Sequence, residues 1–293
     1  MKRILVLVAL TVGVSFSMGC ASSRTSGFSE TAGKSANVKP ESAKAFQVAR
    51  THWAKRDQKA EVEKAIAELE KAVQADAGNE EALVLLCRAN YLLADGHLDD
   101  KDMKKKIWEK GTFWGEKALA LNPKIRAKVV DEKVALEEVL DLVEPGQVPA
   151  LYWTAVNLGK WARLSGIGTT LKYKDRIKKM IEKVEALDPG FFFGAVHRYW
   201  GTFYAVAPGF AGGDMNKSAE RFKKGIEVAP HYLGTRVLYA EAYALKKGDR
   251  ALFTEELNAV LKAKTSVVAE IEPENKIEQT KAKKLLASAD DLF

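Results

Sequence analysis

From Glu41 to Phe293 apolar residues recur at intervals of three and four, and five stretches of this part of the chain close in the same way. That period is the signature of amphipathic helices, and no stretch alternates as a half-buried strand would. The five stretches place a small or apolar residue, another four on and another three on, and four of them then run about five further to a turn. They are Ala65, Leu69, Ala72 to Ala77; Gly111, Gly115, Ala118 to Pro123; Ile177, Ile181, Val184 to Pro189; Ser218, Phe222, Gly225 to Pro230; and, more loosely, Phe253, Leu257, Val260. This is the second-helix pattern of a tetratricopeptide repeat, closed by a proline that cannot continue a helix. The first-helix pattern W-x2-L-G-x2-Y is matched in spacing by His197, Trp200, Gly201 and Tyr204, by Ala155, Leu158, Gly159 and Ala162, and weakly by Leu83, Leu86, Cys87 and Asn90. Cys87, Gly159 and Gly201 then share one task, a small residue where two helices of a pair touch. The expected fold is all-α, with degenerate helix pairs stacked into a compact superhelical body that leaves a concave face and a possible central cavity or pore.

The repeats are uneven. Pro123, Pro189 and Pro230 are 66 and 41 residues apart, where a regular repeat would give about 34. The first gap needs an extra helix, and Ile125 to Val143 has the period for it. The second holds an insertion, "APGFAGGD", between two helices of one pair.

The start of the chain reads as an address. Lys2 and Arg3 precede an apolar run from Ile4 to Phe16 and then small residues, the layout of a secretory signal and too short to span a membrane. "SMGC" resembles a bacterial lipobox, with Ser17 where leucine is usual. In that class Cys20 becomes the lipid-bearing first residue, and Ala21 after it favours the outer membrane. The expected organisation is a lipoprotein signal peptide over 1–19, a lipidated cysteine and flexible tether over 20–40, and one helical domain over 41–293. The tether is inferred from its Ser, Gly, Thr and Lys content, which buries little apolar surface. No later apolar run is long enough to cross a membrane.

Charge and chemistry exclude more than they suggest. The net charge of +7 falls to +7 − 2 = +5 once Lys2 and Arg3 are removed, and Lys and Glu are interleaved along helix faces. No basic stripe with interleaved aromatics points to nucleic acid. Cys87 lies in "ALVLLCRANYLL", where a buried thiol is a packing residue. His52, His97, His197 and His231 have no Cys, Asp or Glu at metal-ligand spacing, and "DGHLDDKD" lacks the placement of a calcium loop. There is no nucleophile elbow, phosphate loop or dinucleotide fingerprint. No enzyme activity and no cofactor are expected.

The chemistry that remains is aromatic. Trp153, Asn157 and Trp161 fall four apart on one face of a helix that also carries Tyr152. On the next helix but one, starting near Gly190, Phe193, His197, Trp200 and Tyr204 make one stripe, and Phe192, Val196, Tyr199 and Phe203 the opposite one. A helix apolar on nearly every side must be enclosed. Large rings with polar tips suit a binding cavity. Asn157 and Arg198 would each need a partner inside it, and a ligand head group is one candidate. In "PGFAGGD", Gly212 and Gly213 permit unusual backbone angles and Asp214 can cap the following helix. The loop can be a plain turn and cap, or can close over a bound molecule.

"PALYWTAVNLGKWARL" and "DPGFFFGAVHRYWGTFYAVAPGFAGGDMNKSAERFKKGIEVAPHYLGTRVLYAEAY" resemble the TatT lipoproteins of TRAP (tripartite ATP-independent periplasmic) transport systems. The resemblance is strongest over Pro149 to Tyr243. It implies degenerate tetratricopeptide repeats, a lipid-anchored N-terminus, self-association as a trimer, and a pore or cavity through the helical body. It also implies a periplasmic solute-binding subunit as partner and an apolar or amphipathic small molecule as cargo. The ligand-binding candidates are then Tyr152, Trp153, Asn157, Trp161, His197, Arg198, Trp200, Tyr204, Gly212, Gly213 and Asp214. The rival reading is an outer-membrane scaffold lipoprotein that docks peptides or assembly partners on its concave face.

Overall fold

The computed structural model describes residues 24–29 and 33–293. The signal segment and Cys20 lie outside the described residues. Helices α1 (Pro40–Trp53), α2 (Lys59–Ala75), α3 (Glu80–His97) and α4 (Lys101–Leu119) are followed by a short α5 (Pro123–Arg126) and a run of tight turns. Then come α6 (Val148–Leu164), α7 (Ile167–Leu187), α8 (Phe191–Val206), α9 (Met215–Val228) and α10 (Gly234–Leu238). After a π-helical turn at Tyr239–Ala244 follow α11 (Leu245–Lys247), α12 (Arg250–Lys262), α13 (Glu272–Ala287) and α14 (Ala289–Leu292). No strand occurs among the described residues.

The helices follow from spacing and caps. On α2 the buried residues are Val62, Ala65, Leu69, Ala72 and Val73, one stripe at intervals of three and four. The opposite face carries Lys64–Glu61 and Lys71–Glu68 pairs one turn apart. Side chains of Asn79, Asp100, Asn122, Asp214 and Asp249 accept hydrogen bonds from the exposed amides that open α3, α4, α5, α9 and α12. Each such cap contributes about 1 kcal/mol. Consecutive helices pack together: α1 on α2, α3 on α4, α6 on α7, α8 on α9, and α12 on α13. Trp161 is fully buried in this packing, edge-on to Tyr173 of α7 at 5.7 Å.

Where α3, α4 and α6 meet, small residues set the distance. A Cβ at Gly115 would fall 2.8 Å from the Cys87 sulfur and closer still to the Thr154 hydroxyl. Cys87 is enclosed there, and burial pushes its thiol pKa up to about 12. It is a packing group held neutral, without nucleophilic character at neutral pH. Gly201 likewise lets the Phe222 ring of α9 approach to within 2.9 Å of where a Cβ would stand.

Two segments depart from the sequence expectation. Ile125 to Val143 is not one helix. α5 runs into a π-turn at Ala127–Asp131, Lys133 takes a φ of 58°, and 3-10 turns follow at Leu136–Glu138 and Leu140–Leu142. The apolar spacing is satisfied all the same, because Leu136, Val139, Leu140 and Val143 are all buried. The two turns pack on α7, where Arg176 pairs with Glu137 at 2.6 Å. The long gap between Pro123 and Pro189 is filled instead by the pair α6 and α7. The second departure is the segment read as a flexible tether. Phe28 is buried, and Arg24, Ser26 and the Gly27 amide all bond the Glu116 carboxylate of α4, the last at 2.8 Å. One phenylalanine and one buried acceptor suffice to pin a chain whose composition alone reads as solvated.

The two ends of the body meet through α13. Arg56, in the turn after α1, makes two 2.7 Å hydrogen bonds to the Glu274 carboxylate. Further along, Lys281 reaches Asp95 of α3 at 2.8 Å, and Ile277 packs against Gly96.

Candidate functional site

A cleft of about 1020 Å³ opens where α1, α3, the start of α6 and the start of α8 face the loops after α9 and before α13. Phe46 and Trp53 come from α1, Val84, Leu85 and Arg88 from α3, Trp153 from α6, and Phe191, Phe192 and Phe193 from α8, with His231 and Tyr232 across from them.

The aromatic wall depends on an unusual backbone. Phe192, Phe193 and Gly194 have φ of 41°, 57° and 74°, a left-handed turn that breaks α8 before Ala195. Two non-glycine residues in that region cost about 1–2 kcal/mol each. Arg198 offsets the cost by donating to the Phe192 and Phe193 carbonyls of the turn. Its guanidinium lies 4.0 Å from the centre of the Tyr232 ring, and Tyr232 stacks on Phe193. Arg198 is only 5 % exposed, and its hydrogen bonds among the described residues go to backbone carbonyls and not to a carboxylate. Hydrogen bonds from a charged donor are worth about 1.5–3 kcal/mol. Arg198→Met should therefore lower the unfolding free energy by about 2–4 kcal/mol, read by chemical denaturation, and blue-shift or broaden the aromatic near-UV signal as the Phe192–Gly194 turn relaxes. A midpoint within 0.5 kcal/mol of wild type, on the order of a neutral surface change, would mean that the turn holds itself.

The floor of the cleft is cationic. The Arg88 guanidinium lies 4.4 Å from the Phe192 ring centre and 5.4 Å from those of Trp53 and Trp153. It donates to Glu274 at 2.9 Å, the carboxylate already held by Arg56. Burial pulls the Arg88 pKa down, only partly restored by Glu274.

The residues singled out by sequence are not gathered in one place. Of them, Trp153 lines the cleft, T-shaped to Phe192 at 5.0 Å. Tyr152 and Arg198 stand beside it, Tyr152 edge-on to Trp153 at 5.0 Å and the Arg198 guanidinium 5.8 Å from the Phe192 ring centre. Asn157 is elsewhere: its amide donates to the Cys87 and Trp153 carbonyls and its oxygen sits against Gly111, in the contact of α3, α4 and α6. That helix contact supplies the partners its amide nitrogen needs. Trp161 belongs to the same core, two turns from the cleft. His197, Trp200 and Tyr204 lie on the other side of α8, because the left-handed turn takes Phe192 and Phe193 out of register with the rest of the helix. Trp200 donates to Glu185 at 2.9 Å, and Arg221 joins Glu185 to His197. Trp200, Tyr204 and Gly212 border a smaller depression of about 390 Å³. Burial and the Arg221 charge hold the His197 pKa below the usual imidazole value. Gly212 takes φ 99°, a Cβ at Gly213 would overlap the Ala207 carbonyl, and Asp214 caps α9 at 2.9 and 3.1 Å. Within the loop the Phe210 ring is 89 % exposed.

Arg88, Trp53, Arg56, Glu274 and Tyr232 were not singled out from the sequence. A signal existed for the first: an arginine inside "ALVLLCRANYLL" must find an anion or a ring face.

Residues 90–293 match the family described as TAtT, TRAP transporter T-component. The chain belongs to this family. A protein of Treponema pallidum (strain Nichols), described as uncharacterized, is 29 % identical over 166 residues, covering 54 % of this chain and 50 % of that protein. The chain thus spans about half the length of that relative. The family is described as a component of TRAP transporters. No helix among the described residues is long and apolar enough to cross a membrane, and no group of His, Cys, Asp and Glu among them could hold a metal ion. In this T-component the matched region supplies Trp153, Phe191 to Phe193 and Tyr232. Trp53 and Arg88 come from α1 and α3, ahead of it.

Proposed function

We propose that the chain is a non-enzymatic, lipid-anchored periplasmic component of a TRAP-type system that binds or passes a small apolar or amphipathic ligand in the cleft and docks a periplasmic solute-binding subunit. Its helix pairs act as degenerate tetratricopeptide repeats. Cys20 carries the anchor, in the outer membrane, and the body assembles as a homo-oligomer, a trimer on the family resemblance. The observation that carries this reading is the cleft: about 1020 Å³ walled by indole and phenyl rings and reaching solvent, the size and lining of a small-molecule site. A peptide-docking scaffold would instead present a polar groove with Asn or Arg clamps on successive repeats.

Native mass spectrometry of the full chain carrying Cys20→Ala, so that no lipid is attached, tests it. An oligomer that retains a discrete apolar adduct is the expected result. Trp153→Ala removes a ring from the cleft and should cut adduct occupancy at least about tenfold, the scale of a buried aromatic anchor. Trp161→Ala removes a ring of the same size from the core, so it should cost about 3–5 kcal/mol of stability while the folded fraction keeps the adduct. A ligand-free monomer would move the weight to the peptide-docking scaffold.

A further inference from the structure

We propose that Arg88 anchors the anionic head of a single-tailed amphiphile, a carboxylate on an apolar chain, at the floor of the cleft. The proposal rests on the reading of the cleft as a ligand site and names the class of ligand.

Two guanidinium groups, Arg56 and Arg88, share one carboxylate, Glu274. Arg56 is satisfied: it takes both oxygens of Glu274 and the Trp53 and Glu270 carbonyls. Arg88 makes a single 2.9 Å hydrogen bond to that carboxylate among the described residues. The rest of its surroundings is aromatic, with the ring centres of Trp53, Trp153 and Phe192 at 5.4, 5.4 and 4.4 Å from the guanidinium carbon. Rings accommodate the charge of a guanidinium above their faces but offer no acceptor in its plane. One positive charge is therefore left over in a poorly solvated place, and Arg198, 5.8 Å from the Phe192 ring centre and hydrogen-bonded to backbone carbonyls, adds to the field. Depression of the Arg88 pKa by burial is the same imbalance seen as titration.

Arg88 is nonetheless reachable. Its side chain keeps 19 % of its surface and forms part of the cleft lining. A monoanion completes the charge balance, and a planar carboxylate fits the fork of a guanidinium. The walls leading outward, Phe46, Val84, Leu85, Pro149, Phe191 and Phe193, suit an alkyl tail. The other charges of the lining do not offset Arg88. Arg50, Glu81 and Glu270 are exposed at the rim, where solvent screens them, and Glu80 pairs with Lys34 at 2.5 Å.

Equilibrium dialysis of the full chain carrying Cys20→Ala against labelled dodecanoate and, separately, 1-dodecanol tests this with tails of equal length. A purely apolar cleft prefers the alcohol, because the carboxylate is better solvated in water. The expected result is dodecanoate bound about 10- to 100-fold more tightly than the alcohol, the worth of one charged hydrogen-bonded contact. Arg88→Met should abolish that preference and leave the alcohol unaffected, while Arg88→Lys should restore part of it. Glu274 keeps Arg56 in Arg88→Met, and a thermal melt confirms the fold. Equal binding of acid and alcohol by wild type, which needs no variant, overturns the proposal while leaving the cleft as an apolar ligand site. A preference that survives Arg88→Met also overturns it. If neither compound binds, both this proposal and the ligand reading of the cleft fail.

Discussion

Glu274→Ala is expected to lower the unfolding free energy by about 3–5 kcal/mol, the cost of leaving buried cations without their anion. Glu274 is 4 % exposed and accepts from Arg56 and Arg88 together. Arg56 belongs to the turn after α1 and Glu274 to α13, 218 residues later. Removal of the carboxylate leaves two guanidiniums repelling each other across the seam that joins the ends of the body. Water can relieve Arg88 from the cleft side, so the loss should fall short of that for two sealed charges. For a chain of this size about 2 °C of melting temperature accompanies each kcal/mol, so the midpoint in a thermal melt should drop by roughly 6–10 °C. The exposed pair Arg250–Asp290, at 54 and 90 % side-chain exposure, is the control. Asp290→Ala should move the midpoint by less than about 1 °C, as exposed ion pairs do. Equal effects of the two substitutions would mean that the seam is solvated and the ends of the body are not held there.

Much of the helical architecture was legible because period and caps are local. The 3–4 spacing marks the buried stripe of α2 residue by residue, and Asn79, Asp100 and Asp214 stand where the helices begin. Pro189 and Pro230 lie in breaks between helices, and Pro123 is the first residue of α5. The failure over Ile125 to Val143 shows the limit of the method. Leu136, Val139, Leu140 and Val143 are spaced to share one face of a helix, and a chain of 3-10 turns lying along α7 buries the same residues. Periodicity reports which side chains face the core; it fixes the helix only when the backbone has no competing turn. Arg24 to Ser29 was misread for a related reason. A polar composition says little where one buried acceptor, Glu116, collects three donors.

The candidate site was less legible, because its walls are far apart in sequence. Trp153 was found on the strength of its own helix. Asn157, one turn on, was grouped with it by spacing alone, and the glycine-lined contact with α4 that takes up its amide is a tertiary fact. The stripe on α8 was drawn through Phe193 to Tyr204 on the assumption of one continuous helix. Three successive positive φ angles divide it, sending Phe192 and Phe193 to the cleft and Trp200 and Tyr204 to the other face. Nothing in "PGFFFGAV" but its glycines hints at such a turn. Arg88 and Glu274 lie 186 residues apart, and no local rule pairs them.

Asp95→Asn is expected to cost about 2–4 kcal/mol at neutral pH, with a pH dependence of definite sign. Asp95 on α3 lies between Lys160 of α6 at 2.6 Å and Lys281 of α13 at 2.8 Å, so one carboxylate joins three helices. Neutralising it leaves Lys160 without its anion and Lys281 with Glu278 as its remaining carboxylate, and a partly buried ammonium that loses its partner destabilises strongly. The side chains keep 20–35 % of their surface, which sets the estimate below the sealed limit. Burial alone would push the Asp95 pKa up, but the charges of Lys160 and Lys281 overcome it and hold the carboxyl far below the usual carboxylate range. A depressed pKa contributes stability that is present above the unfolded value, about 3.9, and is lost as pH falls below it. Below pH 4 the unfolded chain binds a proton at Asp95 that the folded one refuses. The wild-type advantage over Asp95→Asn should therefore shrink by about 1.4 kcal/mol per pH unit there. Glu278, raised by burial despite its bond to Lys281, runs the opposite way. The Asp95 charge adds to that rise, so removing it relaxes Glu278 toward the ordinary carboxylate range, and the slope below pH 4, where Glu278 is protonated in both proteins, is the one that reports Asp95. Urea denaturation of both proteins at pH 7, 4 and 3 measures the gap directly. A constant gap across that range would mean that the carboxyl titrates normally and that α3, α6 and α13 are held together by apolar contact alone.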